Sequence, residues 1–100
     1  MPSSRKSAKA QDPDVLKARL HALQEEMKGL GIVMRGSVVV IGVRNKQSYF
    51  SLNKGGKTRL IYLGKKREGL ARKYSQNYRR LRELVEEMTE INMALLKADL

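Results

Sequence analysis

Residues 36–64 decide the fold, and they read GSVVVIGVRNKQSYFSLNKGGKTRLIYLG. The stretch is rich in β-branched and aromatic residues and contains no proline, which is typical of strands. Two turns divide it, one at residues 44–46 and one at Gly55 and Gly56, because paired glycines tolerate the positive φ angles of a two-residue hairpin turn. The stretch therefore predicts an antiparallel three-stranded meander with strands at about residues 36–43, 47–53 and 58–63.

The glycine pair also predicts which side chains share a face of the sheet. If Lys54 lies opposite Lys57, alternation gives the two faces different residues. The face expected to pack on a helix carries Phe50, Leu52, Ile61 and Leu63. The face expected to point outward carries Tyr49, Ser51 and Tyr62. A register error of one residue would exchange the two faces.

A helix is predicted before the sheet, at residues 13–29. Asp12 and Pro13 are the residue types preferred at an N-cap and at the first helical position. One apolar stripe follows at spacings of four and three residues, formed by Leu16, Leu20, Leu23, Met27 and Leu30. Gly29 provides the stop.

A longer helix is predicted after the sheet, at about residues 66–98. Its apolar residues keep heptad spacing, with Asn77 as a polar interruption that can fix the register of paired helices. Such a helix is about 50 Å long, more than a three-stranded sheet covers. The surplus is expected to pack on the first helix, on a second copy of the chain, or on both. A homodimer or larger assembly would use Leu81, Leu84, Met88, Ile91 and Leu95.

These elements predict an α+β protein: N-terminal helix, three-stranded antiparallel meander, long C-terminal helix with coiled-coil character. Residues 1–11 form a basic stretch with little to bury, and we expect them to be disordered. Residues 12–100 are expected to form one domain. The chain has no cysteine and no apolar run long enough to span a bilayer, so we expect no membrane partner and a cytoplasmic location, on the nucleoid if the protein binds DNA. Binding of the basic amphipathic chain to an anionic membrane surface stays open as a lesser alternative.

Charge is the strongest functional signal. Residues 35–82 contain 14 Lys or Arg and a single acid, Glu68. A block this one-sided is typical of a polyanion binder, and nucleic acid is the commonest cellular polyanion. The alternatives are a solvated basic surface, antiparallel self-association of basic with acidic helix halves, and docking of an acidic protein partner.

Duplex DNA is the favoured ligand, ahead of RNA, because a β-ribbon fits the major groove. The first turn and the hairpin are expected to contribute Arg44, Lys46, Tyr49, Lys54, Lys57, Arg59 and Tyr62. A stripe on the long helix is expected to hold phosphates through Lys65, Lys66, Arg72, Lys73, Arg79 and Arg80. Phosphate contacts give affinity and position, so any sequence preference must come from the hairpin.

Nothing in the sequence predicts catalysis, a metal or a cofactor. His21 is the only histidine, and it falls outside the apolar stripe of its helix, so a surface position is expected. Residues 56–58 read GKT, like the end of a phosphate-binding loop, but Ser51 stands where that motif needs glycine. The prediction is a non-catalytic protein.

Part of the chain resembles small uncharacterised prokaryotic proteins associated with transposon genes. The matching stretches are residues 49–52, 56–59, 62–65, 77–80 and 84–92. Many similar sequences carry a cysteine cluster between the first two strands; this chain has none, which removes any metal that the cluster implies. The strand order also resembles the arm-type domains of tyrosine recombinases and the plant AP2 domain. The resemblance implies DNA binding by the sheet. The main rival interpretation is a coiled-coil interaction protein whose basic patch docks an acidic partner, such as a recombinase or transposase subunit.

Overall fold

The computed structural model describes residues 12–99, so the predicted disordered tail lies outside the described residues. Helix α1 spans Pro13–Lys28, and helix α2 spans Gly64–Asp99. Between them lie strands β1 (Ser37–Ile41), β2 (Gln47–Lys54) and β3 (Lys57–Tyr62). The α+β class and the element order are confirmed. Among the described residues, no helix is both long and apolar enough to cross a membrane.

Strand β1 is shorter than the predicted 36–43 because a glycine interrupts the extended backbone on each side of it. Gly36 has φ 130° and Gly42 has φ 124°. A Cβ atom at Gly36 would lie 2.6 Å from the ring of Phe50, and one at Gly42 would lie 2.4 Å from the carbonyl oxygen of Asn45. Only glycine fits either position without strain.

The sheet has the order β1-β2-β3 with both pairs antiparallel, and the predicted register is confirmed. Lys54 lies opposite Lys57, and Tyr49 lies opposite Tyr62. The turn between β2 and β3 is the glycine pair, whose φ angles of 58° and 78° are both positive, as a two-residue hairpin turn requires.

The chain divides into two compact units, and α2 contributes to both. We call Leu30–Arg80 the sheet unit, because it holds the three strands and the first part of α2. We call the other the helical unit; its described residues are α1, the flanking Asp12 and Gly29, and α2 from Leu81 onward.

The core of the sheet unit lies between the sheet and α2. Phe50, Leu63 and Ala71 are buried together, with Met34 and Val38 packed against them. Alternation along β2 therefore turns the Phe50 face towards α2, as the sequence predicted.

Two residues of the expected helix-facing set, Leu52 and Ile61, are not part of that core. Ile61 is 57% exposed, whereas Leu52 is half-buried. Ile61 lies on the edge strand β3, and its neighbour on α2, Leu70, is also half-exposed, so the cleft between them stays open.

The segment between α1 and β1 is held on α2 by three hydrogen bonds. The Asn77 amide donates to the carbonyl of Ile32 at 2.9 Å, and the Met34 N–H donates to the carbonyl of Tyr74 at 3.1 Å. The Ser75 hydroxyl donates to the carbonyl of Gly36 at 2.7 Å. Asn77 therefore anchors this connecting segment, which differs from its predicted role in fixing the register of paired helices.

In the helical unit, Asp12 caps α1 by accepting a hydrogen bond from the Asp14 N–H at 2.9 Å. Arg19 of α1 holds Glu87 of α2 through two bonds of 2.7 and 3.1 Å. The buried apolar side chains are Leu23 on α1 and Leu84 and Ile91 on α2. Because an isolated helix cannot bury its own side chains, we infer that the two apolar stripes cover each other.

Part of the predicted oligomer interface is covered within the single chain. Leu84 and Ile91 are buried within the single chain, and Leu81, Met88 and Leu95 are partly buried. The centre of the heptad seam is therefore not free to meet a second copy. Of the packing partners expected for the part of α2 that the sheet does not cover, the structure shows α1.

Candidate nucleic-acid interface

Charge is segregated between the two units. The sheet unit contains thirteen Lys or Arg residues and one acid, Glu68. Residues 12–29 and 81–99, the described part of the helical unit, contain five Lys or Arg against nine Asp or Glu. The basic block of the sequence is thus a property of one compact unit.

The single acid of the sheet unit is already engaged. Glu68 accepts a short hydrogen bond from the Ser48 hydroxyl and bonds of 3.1 and 3.0 Å from the Arg72 guanidinium. The Ser48 bond first, and then Arg72, lower the pKa of Glu68 below its usual value. Glu68 is therefore ionised at neutral pH, and it offsets one of the thirteen cations.

The sheet has one uncharged face that α2 does not cover, which we call the open face. By alternation and register it comprises Ser37, Val39, Ile41, Gln47, Tyr49, Ser51, Asn53, Thr58, Leu60 and Tyr62. None of these residues is buried. The rings of Tyr49 and Tyr62 meet edge to face, with centroids 5.6 Å apart, and the Tyr62 hydroxyl donates to Gln47 Oε1 at 3.0 Å.

Cations lie at both ends of the open face. Arg44 and Lys46 occupy the β1–β2 turn, and Lys54 and Lys57 flank the hairpin turn at the other end. All four are exposed. Since β2 has eight residues, the two ends are about 23 Å apart.

Arg59, which is predicted to contribute to the DNA contact, does not lie on the open face. Arg59 lies opposite Leu52, so its side chain leaves the sheet on the same face as Phe50. Lys54 and Lys57 also start on that face, at the tip of the hairpin. The cations therefore border the open face and do not lie on it.

The stripe on α2 forms a second basic surface. Lys65, Lys66, Arg72, Lys73 and Arg79 are exposed, and Arg80 is partly buried. Because α2 packs on the Phe50 face, this stripe lies on the other side of the sheet from Tyr49 and Tyr62. The structure thus separates the predicted interface into two surfaces, and Arg72 is already bound to Glu68.

Two basic residues of the sheet unit were not among the predicted site residues. Arg35 donates through Nη1 to the carbonyl of Asn53 at 3.0 Å, close to the hairpin. Arg67 donates through Nε to the carbonyl of Leu63 at 2.8 Å. Both fall in the basic block of residues 35–82, and this position was the sequence signal that could have identified them. Because a backbone carbonyl carries no net charge, their hydrogen bonds do not neutralise their positive charge.

Among residues 12–99, no group of three or more His, Cys, Asp or Glu side chains is placed to hold a metal ion. His21 is exposed on α1, as expected. Comparison with protein-family models, with curated proteins and with solved structures found no match. The resemblance to transposon-associated proteins and to arm-type DNA-binding domains stays a prediction.

Proposed function

We propose that this protein is a non-catalytic nucleic-acid-binding protein that holds duplex DNA with its sheet unit. The observation that carries the proposal is the charge of that unit, which contains thirteen Lys or Arg residues and a single carboxylate, Glu68, that is already hydrogen-bonded. Such a surface raises a positive potential that a polyanion relieves on binding, with release of its counterions.

The open face is the surface best suited to a groove. The major groove of B-DNA is about 12 Å wide and accepts a β-ribbon. When the uncharged centre of the open face lies over the base edges, the cations at its two ends can reach the phosphates that border the groove. Arg44 and Lys46 would contact one strand, and Lys54 and Lys57 the other.

Neutral side chains would make the contacts to the bases. Ser51, Asn53 and Thr58 lie near the hairpin end of the open face and carry donors and acceptors of the kind that read base edges. Tyr49 and Tyr62 supply flat apolar surface beside them. An unpaired base could stack on the same rings, so single-stranded nucleic acid belongs in the test.

The α2 stripe cannot contact the same straight duplex from the far side of the sheet. We propose that it adds to the overall potential while the open face makes the contacts. A homodimer that engages two half-sites would need a surface other than the buried Leu84 and Ile91. Binding to DNA would place the protein on the nucleoid, with a recombinase or transposase as a partner to test.

The experiment is fluorescence anisotropy with labelled duplex DNA, single-stranded DNA and duplex RNA, each at several salt concentrations. The test variant is Lys54→Glu with Lys57→Glu. The matched control is Lys17→Glu with Lys97→Glu, which makes the same change in charge at exposed positions of the helical unit. Circular dichroism checks that both variants stay folded.

We expect the hairpin variant to lose at least about tenfold in duplex affinity at physiological salt, with a salt slope lower by about 0.9 per lost phosphate contact. The control is expected to change affinity by less than about threefold, because neither Lys17 nor Lys97 belongs to the sheet unit. Equal losses in both variants would show that only net charge matters. Absence of binding to all three nucleic acids would overturn the proposal.

A further inference from the structure

An apolar groove lies between β3 and the first turns of α2, on the Phe50 side of the sheet. We call it the β3 groove; its volume is about 160 Å³. Buried Phe50 and Leu63 contribute to its lining, together with the half-exposed Ile61 and Leu70. Arg67 is the one charged residue in the lining. Nothing in the proposed DNA contact uses this groove.

Strand β3 borders the groove and is an edge strand. Of the strands in residues 12–99, only β2 pairs with it, so the backbone N–H and C=O groups on its outer edge have no strand partner. All six of its residues are exposed. An edge of this kind is a template for one more strand.

The charges around the groove indicate the chemistry of that strand. Lys57 and Arg59 lie on β3 itself, and Arg59 shares the face of Ile61. With Arg67 in the lining, cations stand on both sides of the apolar surface, and no carboxylate lines it. An occupant with aliphatic and acidic residues would match this pattern.

Other occupants fit less well. A second copy pairing through β3 would bring two strongly basic sheet units together, with Lys57 and Arg59 of each strand near those of the other. A nucleic-acid base would bury polar edges against a nearly wholly apolar lining, where they would lose their hydrogen bonds.

We propose that β3 binds an extended acidic segment of a partner protein by strand addition. The backbone of the segment pairs with the outer edge of β3, one aliphatic side chain enters the β3 groove, and its acidic side chains meet Lys57, Arg59 and Arg67. Main-chain pairing supplies affinity, and the groove supplies specificity, as in other strand-addition complexes. The proposal stands independently of DNA binding.

The test uses a labelled synthetic peptide, titrated by anisotropy, in which aspartate stands two residues before and two residues after a leucine, with threonine between them, so that the leucine and both aspartates share one face of the added strand. The variant is Leu70→Gln, and the matched control is Val85→Gln in the helical unit. These α2 residues are 51% and 46% exposed, so neither change is expected to prevent folding. A second peptide carries lysine in place of aspartate.

We expect Leu70→Gln to weaken binding of the aspartate peptide at least about tenfold, with Val85→Gln unchanged and no binding of the lysine peptide. Amide hydrogen exchange of β3 should slow when the peptide binds. Equal affinity of Leu70→Gln and the unaltered chain, or no binding at about 1 mM, would overturn the proposal.

Two further results would also overturn it. A dimer in sedimentation that Leu70→Gln converts to a monomer would assign the groove to a second copy. Duplex DNA that slows exchange in β3 and binds Leu70→Gln less tightly would assign the groove to nucleic acid.

Discussion

The sheet unit and the helical unit share helix α2 but use charged residues in different ways. In the helical unit both signs are mixed and they pair: Arg19 binds Glu87, and Lys28 binds Glu25 at 3.0 Å. In the sheet unit one carboxylate, Glu68, stands against thirteen cations. The same helix is thus basic where it covers the sheet and mostly acidic where it belongs to the helical unit.

This difference separates a unit whose charges of both signs form ion pairs within the chain from a unit that carries an excess of positive charge. Exposed ion pairs such as Lys28–Glu25 contribute little to stability, but they leave no excess of charge. The excess in the sheet unit costs folding free energy through self-repulsion, so a bound anion would stabilise that unit. Changes confined to one unit can test the division.

The largest effect is expected from Gly36→Ala in the sheet unit. The new Cβ would meet the Phe50 ring at 2.6 Å and the Ser51 carbonyl oxygen at 2.7 Å, at a φ that disfavours side chains. We expect a loss of about 4 kcal/mol in the free energy of unfolding, measured with urea. Gly69→Ala is the control: its Cβ meets nothing within 4 Å on α2, and it should stabilise by about 0.5–1 kcal/mol.

A slightly smaller loss is expected from Leu84→Ala in the helical unit. Leu84 is fully buried, so its truncation should leave a cavity and cost about 3 kcal/mol in urea unfolding. Val85→Ala next to it should stay within about 0.5 kcal/mol. DNA affinity, measured where both variants are folded, should match that of the unaltered chain; a weaker affinity for Leu84→Ala would place part of the interface in the helical unit.

The two basic surfaces of the sheet unit can be compared directly. Lys66→Glu with Lys73→Glu makes the same charge change as the hairpin variant, but on the α2 stripe. We expect duplex affinity to fall by no more than about threefold, through the general potential, with an unchanged salt slope. A loss equal to that of the hairpin variant would move the contact surface from the open face to α2.

The smallest effect concerns Glu68 and acid. Because its folded pKa lies below the ordinary value of 4.5, ionised Glu68 stabilises the fold above that pH, and the contribution is lost as pH falls through the folded pKa. Glu68→Gln should therefore unfold with less dependence on acid pH than the unaltered chain in parallel urea titrations. Superimposable pH profiles of the two proteins would contradict this assignment.

Local chemistry made the hairpin predictable. The Gly55-Gly56 turn fixes the register, and with it the position of Tyr49 opposite Tyr62 and the burial of Phe50. The same register also places Arg59 on the Phe50 face, because Arg59 lies opposite Leu52 and paired residues share a face. That step needed only consistent use of the two-residue period.

Other features depend on tertiary packing that periodicity does not encode. A heptad seam has the same spacing whether a second chain or α1 covers Leu84, so periodicity could not predict that Leu84 is buried within the single chain. The seam also runs through the boundary at Arg80 and Leu81 without a break, which hid the division into two units. The anchoring role of Asn77 depends on a carbonyl 45 residues away.

The long sequence separation of these anchors has a consequence for the order in which the chain assembles during synthesis. The β2–β3 hairpin can close as soon as β3 has been made, because its contacts are local. The segment before β1 must wait for Ser75 and Asn77, which lie 39 and 45 residues beyond their partners. Helix α1 is the last of these elements to gain its partner, because Glu87, which binds Arg19, follows it by 68 residues. The apolar stripe of α1 therefore stays uncovered until the part of α2 that holds Glu87 has been made, which makes it a segment that a nascent-chain chaperone would meet.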